Sequence, residues 1–177
     1  PNAVSGDYVS NEFTCYRTTG AGIIHCLDMH WQLNNDYFFA NAFGFDELAQ
    51  KAIHIPELGT QARSLEPVHA LLLACMHRIA HLKTGEGNLL FWLYDIHLFS
   101  EQFSKEQWEY FEKLTIERNL ENSCLDSLKA TRKAFDTKIP ENILQALKVY
   151  TEKGGYAPQN ASYIWQTQLM NYQSLPG

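Results

Sequence analysis

Asp28, His30, His77, His81 and Asp95 are the residues whose types and spacing promise chemistry. Asp28 and His30 sit in Gly22-Ile-Ile-His-Cys-Leu-Asp-Met-His-Trp31, a short apolar run that reads as a buried β-strand. Side chains alternate along a strand, so Cys26, Asp28 and His30 share one face and His25, Leu27, Met29 and Trp31 the other. An unpaired buried carboxylate is costly, so Asp28 is expected to have a cation, a metal ion or hydrogen-bond donors beside it. A carboxylate held in this way can bind Mg²⁺ or act as a base, with the imidazole of His30 nearby. The plainer alternative is a turn cap, or an ion pair with an arginine such as Arg17 on the neighbouring strand.

His77 and His81 lie at i and i+4 in Cys75-Met-His-Arg-Ile-Ala-His81, on one face of a helix. That geometry can bind a metal ion, and no Glu stands where a zinc protease needs one. Asp95 lies in the apolar run Phe91-Trp-Leu-Tyr-Asp-Ile-His97. It is expected to form a buried polar pair with His77 or His81 that sets the packing of two helices. Arg63 and Arg78 are the isolated basic residues near these elements, and either can face a phosphate or be ion-paired. The sequence has no Gly-rich phosphate loop, no GxSxG and no Cys/His nucleophile pattern.

The whole chain must hold these groups in place, and its composition bounds how. It has 177 residues, 45% hydrophobic and 13% aromatic, enough for a folded core. A formal net charge of -6 without basic runs argues against a duplex nucleic-acid surface. No apolar run approaches the roughly 18 residues of a membrane span, and no signal peptide is visible. Cys15, Cys26, Cys75 and Cys124 show no CxxC spacing and read as buried thiols of a reducing, cytoplasmic compartment. Two disulfides in a secreted domain are the alternative.

The pattern predicts an α+β fold: an N-terminal antiparallel β-hairpin followed by a mostly helical bundle. Residues 12–31 alternate around a turn with Gly20 and Gly22, which is a hairpin signal. The aromatic stretch from Tyr37 through Phe38, Phe39 and Phe43 to Phe45 is expected to fold over the sheet. A short helix starts at Asp46, and 53–65 is an irregular link with one short strand near Gln61–Leu65. Helices follow from Pro67 to near Gly85, over 88–99, from Ser104 onward, 120–135 and 140–152, with an amphipathic tail through Tyr163, Trp165 and Leu169. Ser104-Lys-Glu-Gln107 is a capping box. The domains are expected to be 1–65 and 66–177.

Four segments in order carry a resemblance. They are Ile24-His-Cys-Leu-Asp-Met-His-Trp31, Leu58-Gly-Thr-Gln-Ala-Arg-Ser-Leu-Glu-Pro67, Leu71-Leu-Leu-Ala-Cys-Met-His-Arg-Ile-Ala-His81 and Leu89-Leu-Phe-Trp-Leu-Tyr-Asp-Ile96. The series resembles the uncharacterised nucleotidyltransferase family of the polymerase-β-like superfamily. The resemblance implies transfer of a nucleotidyl group from a nucleoside triphosphate to an acceptor hydroxyl with Mg²⁺. It makes Asp28 the metal-facing carboxylate or general base, and His30, Arg63, His77 and His81 substrate contacts. No Gly-Ser followed by Asp-x-Asp precedes the hairpin, and Pro1 is not an initiator Met. The chain is therefore expected to be a C-terminal portion, catalytically incomplete, with Mg²⁺ bound only when the missing segment is present. A non-catalytic helical binding module is the alternative, motivated by the missing carboxylate pair and the aromatic surplus at 37–45. An open sheet edge makes a homodimer through the hairpin an expectation too.

Overall fold

A computed structural model describes residues 12–34, 37–82 and 90–152. The expected helical tail through Tyr163, Trp165 and Leu169 lies outside the described residues. The fold is α+β, with a hairpin leading into helices. The described chain divides between Lys51 and Ala52 into two compact units, so the link that follows α2 groups with the helices.

The first unit opens with β1 (Glu12–Thr18) and β2 (Ile24–His30), which pair antiparallel with Thr14 opposite Asp28 and Cys15 opposite Leu27. The turn between them closes through Thr19 N–H to Ile23 O at 2.9 Å and Gly22 N–H to Thr19 O at 3.0 Å. Gly22 has φ +78°, a left-handed conformation that a side chain would strain. Two short helices follow, α1 (Tyr37–Ala40) and α2 (Phe45–Lys51). Phe39, Phe43 and Leu48 are buried, while Phe45 is 75% exposed. Every residue of β2 is exposed, so the aromatic stretch does not cover the hairpin as its composition suggests.

The second unit starts with a link more regular than its Pro and Gly imply. β3 (Ile53–His54) pairs with β4 (Arg63–Ser64), placing Ile53 opposite Ser64 and His54 opposite Arg63. A 3-10 turn at Pro56–Leu58 and Gly59 at φ +110° close this miniature hairpin.

Among the described residues of this unit five helices follow: α3 (Pro67–Leu82), α4 (Leu90–Gln102), α5 (Lys105–Glu117), α6 (Glu121–Phe135) and α7 (Glu141–Glu152). Pro67 suits the first turn of α3, where its missing N–H is not needed. The Glu66 carboxylate accepts from the backbone N–H of Val68 at 3.1 Å and of His69 at 3.4 Å, capping the same turn. Val68, Leu71, Leu72, Cys75, Met76 and Ile79 form a stripe at helical spacing and are buried. α3 packs on α4, α5 and α6, and α6 packs on α7 and α4 as well. Phe111, Leu128, Ile143 and Leu147 fill the space between these helices and are fully buried. Each such side chain contributes about 1.5–3 kcal/mol on burial.

Candidate functional site

The first unit holds Asp28 and His30 on the face of the hairpin that alternation assigns them. Asp28 Oδ1 accepts a 2.6 Å hydrogen bond from the Thr14 hydroxyl directly across the ladder. His30 Nδ1 lies 3.1 Å from Glu12 Oε2, its cross-strand neighbour. Two polar pairs therefore stack along one face, as directly opposed residues do in an antiparallel ladder. Phe13, Cys15 and Arg17 share the other face with Met29, Leu27 and His25. Trp31 continues that side, with its ring 6.4 Å from that of Phe13.

Two expectations are corrected here. The strand is exposed, not buried, so the Asp28 carboxylate needs no buried counter-ion, and the Thr14 hydroxyl donates to it across the ladder. Arg17 pairs in register with His25, on the face opposite Asp28, so it is not the carboxylate's counter-ion. Leu27 and Met29 share the face opposite Asp28, as alternation along the strand assigns them.

In the second unit His77 and His81 meet. Their Nε2 atoms are 2.8 Å apart and their ring centroids 4.6 Å. Trp92 on α4 packs against both, with centroids 4.4 Å from His77 and 4.8 Å from His81. The Trp92 indole N–H is buried and has no hydrogen-bond partner among the described residues. Asp95 was expected to pair with one of these histidines. It is exposed on α4, one helical turn past Trp92, and the two histidines bond to each other. Position 95 falls outside the buried stripe of Leu93, Ile96 and Ser100.

The two arginines separate cleanly. Arg78 is 2% exposed, with Nη1 donating to Asp126 Oδ2 at 2.6 Å and to Ser127 Oγ at 3.2 Å. It ties α3 to α6 and offers nothing to a phosphate. Arg63 is exposed on β4 and makes no ion pair among the described residues. Opposite it, His54 Nε2 donates to the Thr60 carbonyl at 2.9 Å, which stiffens the small hairpin.

No three His, Cys, Asp or Glu side chains cluster among the described residues as a metal cage would require. Asp28 nevertheless suits magnesium in one respect. Mg²⁺ is usually held by one or two carboxylates plus substrate phosphates, and Asp28 offers an exposed carboxylate with one oxygen already fixed. Among the described residues Asp28 would supply one ligand to a phosphate-bound ion, short of the carboxylate set that a two-ion site needs.

A protein-family model described as uncharacterised nucleotidyltransferase matches residues 6–136. The chain belongs to the uncharacterised nucleotidyltransferase family. Searches of curated proteins and of solved structures found no match. For this nucleotidyltransferase-like chain the matched span includes both strands of the first hairpin, the Arg63 link, the histidine pair and the Arg78 tie. Membership supports a general role in nucleotidyl transfer. No described helix is long and apolar enough to cross a membrane.

Residue spacing alone missed Thr14, Glu12 and Trp92. The first two were accessible through the register, since a hairpin closing at 19–23 sets residue 14 against 28 and 12 against 30. Trp92 carried no signal beyond its place in an apolar helix.

Proposed function

We propose that this chain takes part in Mg²⁺-dependent transfer of a nucleotidyl group from a nucleoside triphosphate to an acceptor hydroxyl, with Asp28 as its acidic site residue. The observation that carries the reading is the exposed Asp28 carboxylate, anchored by Thr14 at 2.6 Å on the polar face of the hairpin. When bound to the triphosphate, magnesium supplies charge neutralisation. The oxygen of Asp28 not engaged by Thr14 would be the one to hold that ion or to take the proton of the acceptor hydroxyl. In the transfer the acceptor oxygen bonds to the α-phosphorus, the bond to the departing pyrophosphate breaks, and the hydroxyl proton goes to base. His30 flanks Asp28 on the same face, and the exposed guanidinium of Arg63 offers an anion contact in the second unit.

Asp28→Ala and Asp28→Asn test this reading, the second keeping the Thr14 contact. Binding of Mg²⁺-ATP and transfer of labelled nucleotide are measured with wild type and both variants made in the full-length protein, because this chain alone is expected to lack part of the carboxylate set. Loss of general acid–base or ligand chemistry is expected to lower turnover by about 10²–10⁴-fold. Equal binding and equal turnover in wild type and variants overturn the role of Asp28.

A non-catalytic interaction module is favoured by a different observation. Phe13, Leu27, Met29 and Trp31 are 45–60% exposed together on the apolar side of the hairpin. In that case Asp28→Asn leaves partner binding intact and Leu27→Glu abolishes it.

A further inference from the structure

We propose that His77 and His81 are two of the ligands of a binding site for a zinc-class divalent transition-metal ion. Nothing in the magnesium chemistry of the first unit requires this, because imidazole suits zinc, copper and nickel and not magnesium.

The geometry makes the case. Residues four apart on a helix sit on one face, and here the Nε2 edges converge. The ring centroids are 4.6 Å apart while the nitrogens are only 2.8 Å apart. At that separation one nitrogen carries a hydrogen and the other a lone pair. A metal ion takes the place of the shared hydrogen, and the ring that carried it becomes the Nδ1–H tautomer, so both Nε2 lone pairs face the ion. With metal–nitrogen bonds of about 2.0–2.1 Å, a tetrahedral ion holds its two nitrogens about 3.3 Å apart, so the pair opens by roughly half an ångström. Helical backbone fixes both Cβ atoms. Trp92, stacked at 23° on His81 and tilted at 45° on His77, limits how far either ring can turn. The site is therefore already set, which lowers the ordering cost of binding.

No third His, Cys, Asp or Glu joins the pair among the described residues. Two imidazoles fill two positions of a tetrahedral ion, and water or an oxygen of a bound ligand can take another. The substrate contact expected of these histidines from the family resemblance would then pass through the ion.

The test is titration of the chelator-treated full chain with Zn²⁺ by calorimetry, and with Co²⁺ by visible absorption. One ion per chain is expected. His77→Gln and His81→Gln should each weaken binding by at least about tenfold, since loss of even an outer-shell partner costs that much. Asp28→Asn should leave zinc binding unchanged, which separates this site from the one in the first unit. Should either histidine variant unfold by circular dichroism, the wild-type imidazole ¹⁵N resonances decide: both Nε2 signals shift at one equivalent of zinc. Absence of stoichiometric binding, binding undiminished in both folded variants, or unshifted Nε2 signals overturn the proposal.

Discussion

A thiol reacts as its thiolate, so burial and exposure sort the cysteines by reactivity. Cys15 and Cys26 are exposed on the first hairpin, against the expectation that all the thiols are buried, while Cys75 and Cys124 are buried. Burial pushes the Cys124 thiol well above its ordinary range, and the adjacent Cys75 thiol adds to the rise. A disulfide reagent on the native chain should therefore label Cys15 and Cys26 quickly, and the other pair only after denaturation. Equal rates at all positions would show that the α3–α6 seam is open. The same shift has a pH consequence. Above the usual thiol value of roughly 8.5, the unfolded chain releases the Cys124 proton while the folded chain keeps it. The unfolded state then binds fewer protons, so stability falls as pH rises from there toward the raised folded value. Urea midpoints at neutral and alkaline pH should show this decline, and Cys124→Ala should remove its share of the slope.

At the scale of the element, local signals decide how helices begin, and long-range partners decide how they pack. The Ser104 hydroxyl accepts from Gln107 N–H at 3.3 Å, and the Gln107 side chain accepts from Ser104 N–H at 2.9 Å, closing the capping box at the start of α5. Ser104→Ala should cost about 1 kcal/mol, read as a lower urea midpoint with unchanged slope. An unchanged midpoint would mean that packing of Trp108 and Phe111 alone sets the start of α5. Arg78 is the contrasting case. Its partner Asp126 lies 48 residues away, and no local pattern announces it. Arg78→Ala should cost about 2–4 kcal/mol, because it removes a packed stem and leaves Ser127 short of a donor. Asp126 is 58% exposed, so Asp126→Ala should cost only about 1 kcal/mol after solvent screening. Thermal melts of the two variants check the order, and the reverse order would place the energy in the ion pair and not in the packing.

This contrast explains what the sequence made legible. The first hairpin, the capping box and the helices from 67 to 152 follow from alternation, helical spacing and caps, all of them local. The pairing of Ile53–His54 with Arg63–Ser64 was hidden because two-residue strands leave almost no periodic trace. Asp28 was assigned to the correct face and the wrong environment, since alternation gives direction and says nothing of what covers a strand. Asp95 was misjudged for a related reason: an apolar helix can leave its apolar residues exposed, as α4 does at Leu90, Phe91 and Tyr94.

For the whole molecule, the division between Lys51 and Ala52 sets stability unevenly. A two-stranded hairpin is marginal in water, and every residue of β2 is exposed. The helical unit instead buries Leu71, Leu72, Met76, Ile96 and Leu128 completely or nearly so. Opening free energies in a protein run from near zero at frayed elements to the global value in the core. Hydrogen-bonded amides of β1 and β2 should therefore exchange at least about 10³-fold faster than those of Leu72, Met76 and Leu128, a difference of roughly 4 kcal/mol. Leu72→Ala sharpens the test. The cavity it leaves should remove about 2–5 kcal/mol from the helical unit. Native-state hydrogen exchange should then show protection falling together across α3 and α6, with hairpin amides unchanged. If the hairpin amides lose protection in step with α3, the two units open as one cooperative body. The hairpin carrying Asp28 would then draw its order from the helical core.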